Sequence, residues 1–182
     1  ETGSEDAVSI RSVAARVGDT TPSIYLHFAD KSALIEAVCE AVFVELDERM
    51  MAASATADEP FEALRRFGLE YVAFAQAHPE QYRIVMMTRP EPESGAGHED
   101  FPAYIHLLEL VGRCQAEGIF DAAVPPEQIG LVMWAAAHGA ASLSVSKPGA
   151  VGAAGAADLA ERLISAIGTG LAVLLPGTAP AI

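Results

Sequence analysis

Between Val17 and Lys31 the sequence reads VGDTTPSIYLHFADK, a short stretch that concentrates groups able to hydrogen-bond. Thr20, Thr21 and Ser23 carry hydroxyls, Tyr25 a phenol, His27 an imidazole and Lys31 an ammonium. Hydroxyls at a helix N-terminus stand beside backbone N–H groups with no partner of their own, a combination that suits phosphate oxygens and the polar edges of bases. A phenol hydroxyl reaches a phosphate, and an ammonium adds a charge contact.

The elements that must position these groups can be read from the same stretch and its flanks. Ser9 can cap a helix over Ile10–Val17, with Gly18 in the C-terminal cap position. Thr20 or Thr21 can cap a second helix that carries Pro22 in its first turn and ends near Phe28. Asp30 then caps a long helix from Lys31 to about Ala53, with Leu34, Val38, Val42 and Leu46 at helical spacing. Helix, glycine turn and short second helix is the spacing of a helix-turn-helix. Val13, Val17, Ile24 and Phe28 are expected to lock the two helices together. Pro22, Ser23 and Leu26 then point away from the fold with Tyr25 on the flank, a face shaped for a major groove. Leu26 on that face either meets a thymine methyl or covers backbone.

Composition bounds the rest. The chain has 182 residues, 51% of them apolar and 20% charged, enough to bury one sizeable core. Long Ala/Leu/Val/Glu/Arg runs between proline and glycine clusters predict an all-α fold. Helices are expected over Pro60 to about Ala77, Glu80–Thr88, Phe101–Glu117, Pro125 or Pro126 to about Val145, and Ala157–Leu175. The last carries Leu159, Leu163, Ile167, Leu171 and Leu174 as one stripe. RPEPESGAG and SKPGAVGAAGA read as loops. Cys39 and Cys114 sit in separate apolar-periodic segments and read as core residues of a reducing compartment. The most apolar run, Leu163–Leu175, is too short to span a bilayer, so a cytoplasmic protein is expected. No phosphate-cradling loop, nucleophile elbow, zinc-protease motif or dinucleotide fingerprint is present, which argues against an enzyme and against a bound cofactor.

At Ser9–Val38 the residues SIRSVAARVGDTTPSIYLHFADKSALIEAV resemble the TetR-type bacterial transcriptional regulators. Tyr25, His27, Phe28, Lys31 and Leu34 fall in register with that family's Tyr-x-x-Phe and Lys-x-x-Leu positions. The resemblance implies a DNA-binding domain over residues 1–38 and an effector-binding and dimerisation domain over 39–182. It implies that Thr20, Thr21, Pro22, Ser23, Tyr25, His27 and Lys31 contact double-stranded operator DNA, with Arg11 touching a phosphate. Asp19 departs from the family pattern, which has an apolar residue there, and the family's first helix is not seen ahead of Ser9, so an upstream segment is expected. Arg11, Arg16 and Lys31 balance Asp19, Asp30 and Glu36, so the net charge of −14 falls outside Ser9–Val38. An acidic remainder repels DNA and leaves this end as the tolerable one.

MWAAAHGAASL, Met133–Leu143, resembles the Trp-x-x-x-His-Gly signature of one C-terminal subgroup, carried here by Trp134, His138 and Gly139. Two readings are open for it: close helix packing at Gly139 and the alanines around it, or a pocket into which His138 reaches. The resemblance also places Phe67, Tyr71, Phe74, Tyr82, Met86, Phe101, Tyr104, Trp134 and His138 around a small-molecule effector pocket, although a stripe of this kind equally describes a core. His98, Glu99 and Asp100, with His106 beyond, are metal-capable residue types at a spacing that fits no established template. The function that follows is a homodimeric repressor released from operator DNA by a small hydrophobic effector. The alternative is a helical binding or scaffold module that no longer binds DNA.

Overall fold

The structure, a computed structural model, describes residues 9–88, 101–151 and 155–174, and none of these lies in a strand. In chain order they form α1 (Ile10–Val17), α2 (Thr21–His27), α3 (Lys31–Ser54), α4 (Pro60–Ala77), α5 (Pro79–Tyr82) and a π-helical turn, Arg83–Thr88. Then come α6 (Pro102–Ala116), α7 (Pro126–Ser146), α8 (Pro148–Val151) and α9 (Gly155–Leu174). The fold is all-α, as the sequence predicts. The opening ETGSEDAV, the RPEPESGAG loop, the His98/Glu99/Asp100 cluster and Leu175 lie outside the described residues.

Local chemistry sets the helix ends. Ser9 and Ser12 form a reciprocal capping box at α1, and Gly18 ends it in the left-handed region at φ 78°, a conformation that a side chain would disfavour. Thr20 caps α2 by accepting from the Ser23 N–H, and Asp30 caps α3 by accepting from the Ala33 N–H. Pro60, Pro102 and Pro126 open α4, α6 and α7, where a missing N–H is harmless.

Two apolar clusters share α3. Ile10, Ala14, Ile24 and Leu34 form the small one, with Val13 and Phe28 packed on it. The large one begins at Cys39 and is threaded by α4, which buries Ala63, Leu64, Phe67, Tyr71, Val72, Phe74 and Ala75. Helix α4 packs on α3, α6, α7 and α9. Polar ties fix α3 to its neighbours as well: Arg49 pairs with Glu70 of α4 at 2.7 Å, and Asp47 accepts from His106 of α6 at 2.8 Å. Both cysteines are buried free thiols, and burial pushes the Cys114 thiol up to about 11.

Four expectations need correction. Val17 is 66% exposed rather than part of the small core, because it is the last residue of α1 and extends past the cluster, whose α1 members are Ile10 and Ala14. Val38 is 52% exposed: Leu34 turns to the small cluster and Cys39 opens the large one, leaving the position between them facing solvent. In α9 the buried positions are Ala156, Ala160, Ile164 and Gly168, while Leu159, Leu163 and Ile167 are half-buried at the edge of that face and the side chains of Leu171 and Leu174 lie outside the described residues. Part of SKPGAVGAAGA is helical, since Pro148 starts the single turn of α8 and Gly155 already belongs to α9. Among the described residues, the helix long and apolar enough to cross a membrane is α7, and it packs on α4 and α9.

Candidate functional site

At the α1–α2 end, burial is one-sided. Ile24 points into the small cluster and Phe28 is half-buried on it. On the opposite side Pro22 is exposed, Tyr25 is 52% exposed and Leu26 is 84% exposed. Arg11, Thr20 and His27 are exposed, and Thr21, Ser23 and Lys31 are half-buried. All eight candidate residues therefore lie on one end of the molecule. The polar ones differ, however, in what they have left to offer.

Ser23 Oγ donates to Asp19 Oδ2 at 3.0 Å, and the Thr20 N–H donates to Asp19 Oδ1 at 2.7 Å. Thr20 Oγ1 meanwhile accepts from the Ser23 N–H at 3.3 Å. The Ser23 hydroxyl proton is thus already in use, and its oxygen faces outward as an acceptor. Asp19, which the sequence reading treated only as a departure from pattern, is the clamp that organises the start of α2. Its spacing of four residues from Ser23 was the available signal.

In the helical body the candidate effector residues divide. Tyr71 and Tyr82 each place Oη 2.9 Å from Nδ1 of His138, and the two hydroxyls are 3.5 Å apart. Their rings meet edge to face at 5.7 Å. Trp134 lies across His138 at 6.2 Å, and Tyr104 packs edge-on to Trp134 at 6.2 Å. Five of the expected residues, from α4, α5, α6 and α7, are therefore brought together around one imidazole. Burial pushes the Tyr71 phenol up to about 12, against hydrogen bonds with Tyr82 and Trp134 that act the other way. Burial raises Tyr82 too, and lowers His138, so the cluster holds neutral phenols and a neutral imidazole near pH 7.

The other expected residues lie elsewhere. Phe74 packs on His78 at 4.9 Å with the Arg49 guanidinium over its ring at 5.4 Å. Phe101 stacks on Phe43 of α3 at 4.5 Å, a partner that lies on a different helix and that the sequence reading did not single out. Phe67 is buried in the large core and Met86 is half-buried on it. Two surface hollows, of about 370 and 420 Å³, are lined by other residues: one by α3, α4 and α9, the other by the α3 face from Ala37 to Glu48. Gly139, expected at a close helix contact, has nothing within 4 Å of where a Cβ would stand. It faces out from the bundle near exposed Leu131, Val132 and Leu143, while close approaches among the described residues occur at Gly68 against Ile164, Gly130 against Leu108, Gly155 against Val151 and Gly168 against Phe61.

Both ends of this architecture have counterparts among known proteins. Residues 5–38 match the family model for bacterial regulatory proteins of the tetR family, and residues 64–167 match that of the tetracyclin repressor-like C-terminal domain. No curated protein sequence matches the chain. Among solved structures it is similar to a protein of unknown function from Rhodococcus sp. RHA1, at TM-score 0.77 and 24% identity over 92% of this chain and 86% of that one. It is similar to the TetR family transcriptional regulator PfmR from Thermus thermophilus, at TM-score 0.62 and 17% identity over 90% and 88%. A TetR-like transcriptional regulator from Rhodococcus sp. RHA1 has TM-score 0.52 and 20% identity over 88% and 84%. At these identities the structures speak for the fold, and the family models, which together take in the helix-turn-helix and most of the helical body, carry the assignment. The chain belongs to the TetR family of DNA-binding bacterial transcription regulators.

Proposed function

We propose that the protein is a cytoplasmic homodimeric repressor whose α2 enters the major groove of a palindromic operator and which a small hydrophobic effector releases. The observation that carries this reading is the one-sided burial of α2: Ile24 is anchored in the small cluster while Pro22, Tyr25 and Leu26 face away from every described element. Residues 1–38 act as the DNA reader and 39–182 as the effector and dimer unit, a division supported by the two clusters that meet along α3. Thr20, Thr21, Pro22, Ser23, Tyr25, His27 and Lys31 form the groove-facing and phosphate-facing set, and Arg11 reaches the flanking backbone. Because its proton goes to Asp19, Ser23 acts as an acceptor, suited to an exocyclic amine of cytosine or adenine.

Support for the dimer is the outward face of α7, where Leu131, Val132 and Leu143 are exposed beside Gly139 with open space above it. The Trp134, His138 and Gly139 signature belongs, in this proposal, to the C-terminal subgroup that its spacing resembles. The effector enters among Tyr71, Tyr82, Tyr104, Trp134 and His138, and its polar atom exchanges for one tyrosine hydroxyl at His138. Differential affinity for two arrangements of the dimer then shifts the DNA-competent population, with α3 carrying the change between clusters.

The test is selection of binding sites from random-sequence duplex DNA with the full chain, followed by titration of the selected duplex. A two-fold symmetric site, bound by a dimer and vacated on addition of apolar compounds that raise the melting temperature, is the expected result. Recovery of no preferred sequence would favour the scaffold reading.

A further inference from the structure

The middle of the outward face of α2 is apolar, and this bears on what it reads. Leu26 lies about 200° around the helix from buried Ile24, directly opposite the anchor. It is 84% exposed, more than any other large apolar side chain among the described residues. Beside it stand Pro22, which has no N–H, and Ser23, whose hydroxyl proton is held by Asp19 at 3.0 Å. Tyr25 and His27 lie on the two flanks. The centre of the face therefore offers hydrocarbon and acceptor oxygens, and no donor.

Among the base edges of the major groove only thymine presents an apolar group, its C5-methyl. Apart from the small C5–H of cytosine, the other positions there are donors or acceptors that a leucine would desolvate without pairing. We infer that Leu26 is a specificity-determining residue, seated against the C5-methyl of one or two thymines near the centre of each operator half-site. This rests on the reading that α2 enters the groove. Removing one buried methyl from such a contact corresponds to about a fourfold loss of affinity.

The test uses the full chain and the duplex it selects from a random library, remade with each half-site thymine replaced singly by deoxyuridine. That exchange deletes the methyl and leaves the pairing edge intact. For the unaltered protein, one or two positions should lose about fourfold in affinity and the rest should not change. With Leu26→Ala, affinity for the thymine duplex should fall by a similar factor, and thymine and deoxyuridine should become indistinguishable at those positions. Leu26→Met should keep the distinction. Urea midpoints equal to that of the unaltered protein confirm that the variants are folded, and the deoxyuridine series needs no variant at all. Selected DNA bound equally with thymine or deoxyuridine at every position, or a deoxyuridine effect that persists in Leu26→Ala, would overturn the inference while leaving the regulator reading intact. Failure to select any DNA would overturn both.

Discussion

Tyr71 and Tyr82 compete for a single acceptor, and that competition sets a measurable non-additivity. Both hydroxyls stand 2.9 Å from His138 Nδ1, and in the tautomer with its proton on Nε2 the neutral imidazole offers one lone pair there. In Tyr82→Phe the Tyr71 hydroxyl keeps Nδ1 paired, and in Tyr71→Phe the Tyr82 hydroxyl does. Each single variant should cost little, below about 0.5 kcal/mol, because the remaining hydroxyl takes the lone pair and no acceptor is left unmet. In the double variant Nδ1 has neither, and a desolvated acceptor without a partner costs about 1–3 kcal/mol. His138 is only half-buried, so the lower part of that range applies. The double variant should therefore exceed the sum of the singles by about 1 kcal/mol, a shift of about 2–4 °C in melting temperature for a chain of this size. Ring packing is retained throughout, because the edge-to-face contact at 5.7 Å involves the rings and not the hydroxyls. Urea unfolding followed by fluorescence is well placed to measure this, since Trp134, the chain's one tryptophan, lies 6.2 Å from the His138 ring. Singles that add up to the double would refute the shared-acceptor argument.

Three further outcomes are expected. His138 has its folded pKa lowered by burial, so on acidification the unfolded chain takes up this proton first. Its contribution is present above the unfolded value of about 6.5 and is lost as pH falls below it; urea midpoints should drop between about pH 7.5 and pH 5.5, and less steeply in His138→Gln. Gly139→Leu fills open space within one chain, so it should leave the fold intact yet dissociate or weaken the dimer by about 1–3 kcal/mol, read by light scattering across micromolar concentrations. A monomeric unaltered protein at those concentrations would contradict it. Lys31→Ala should weaken operator and random DNA alike and lower the magnitude of the salt slope by about one unit, whereas Thr21→Ala should cost about 1–3 kcal/mol on operator DNA only.

How much of this was legible in the sequence follows from the range of each interaction. Helix ends were readable because their determinants are local: Ser9, Gly18, Asp30 and the opening prolines act within a turn of themselves. Ile24 and Phe28 could be assigned inward from periodicity alone. Val17 and Val38 could not be assigned outward, because periodicity reports a helix face but not where along the helix its packing partner ends. The Tyr71, Tyr82 and His138 cluster joins positions far apart in sequence, so the residue types were visible and their meeting was not. The Asp19 and Ser23 bond was within local reach, but a carboxylate at the start of a DNA-reading helix was read as a mismatch and not as a clamp. Gly139 illustrates the converse: a small residue on a helix signals close approach without saying whether the partner is in the same chain.

The central claim is that the outward face of α2 occupies a DNA major groove, and methylation interference at guanine N7 tests it most directly, because that atom lies only in the major groove. On the duplex selected by the full chain, the account predicts that N7 methylation at guanines in two symmetric half-sites, centred one helical turn or a multiple of it apart, blocks binding. Binding that tolerates methylation of every guanine N7 but is displaced by a minor-groove ligand would contradict it.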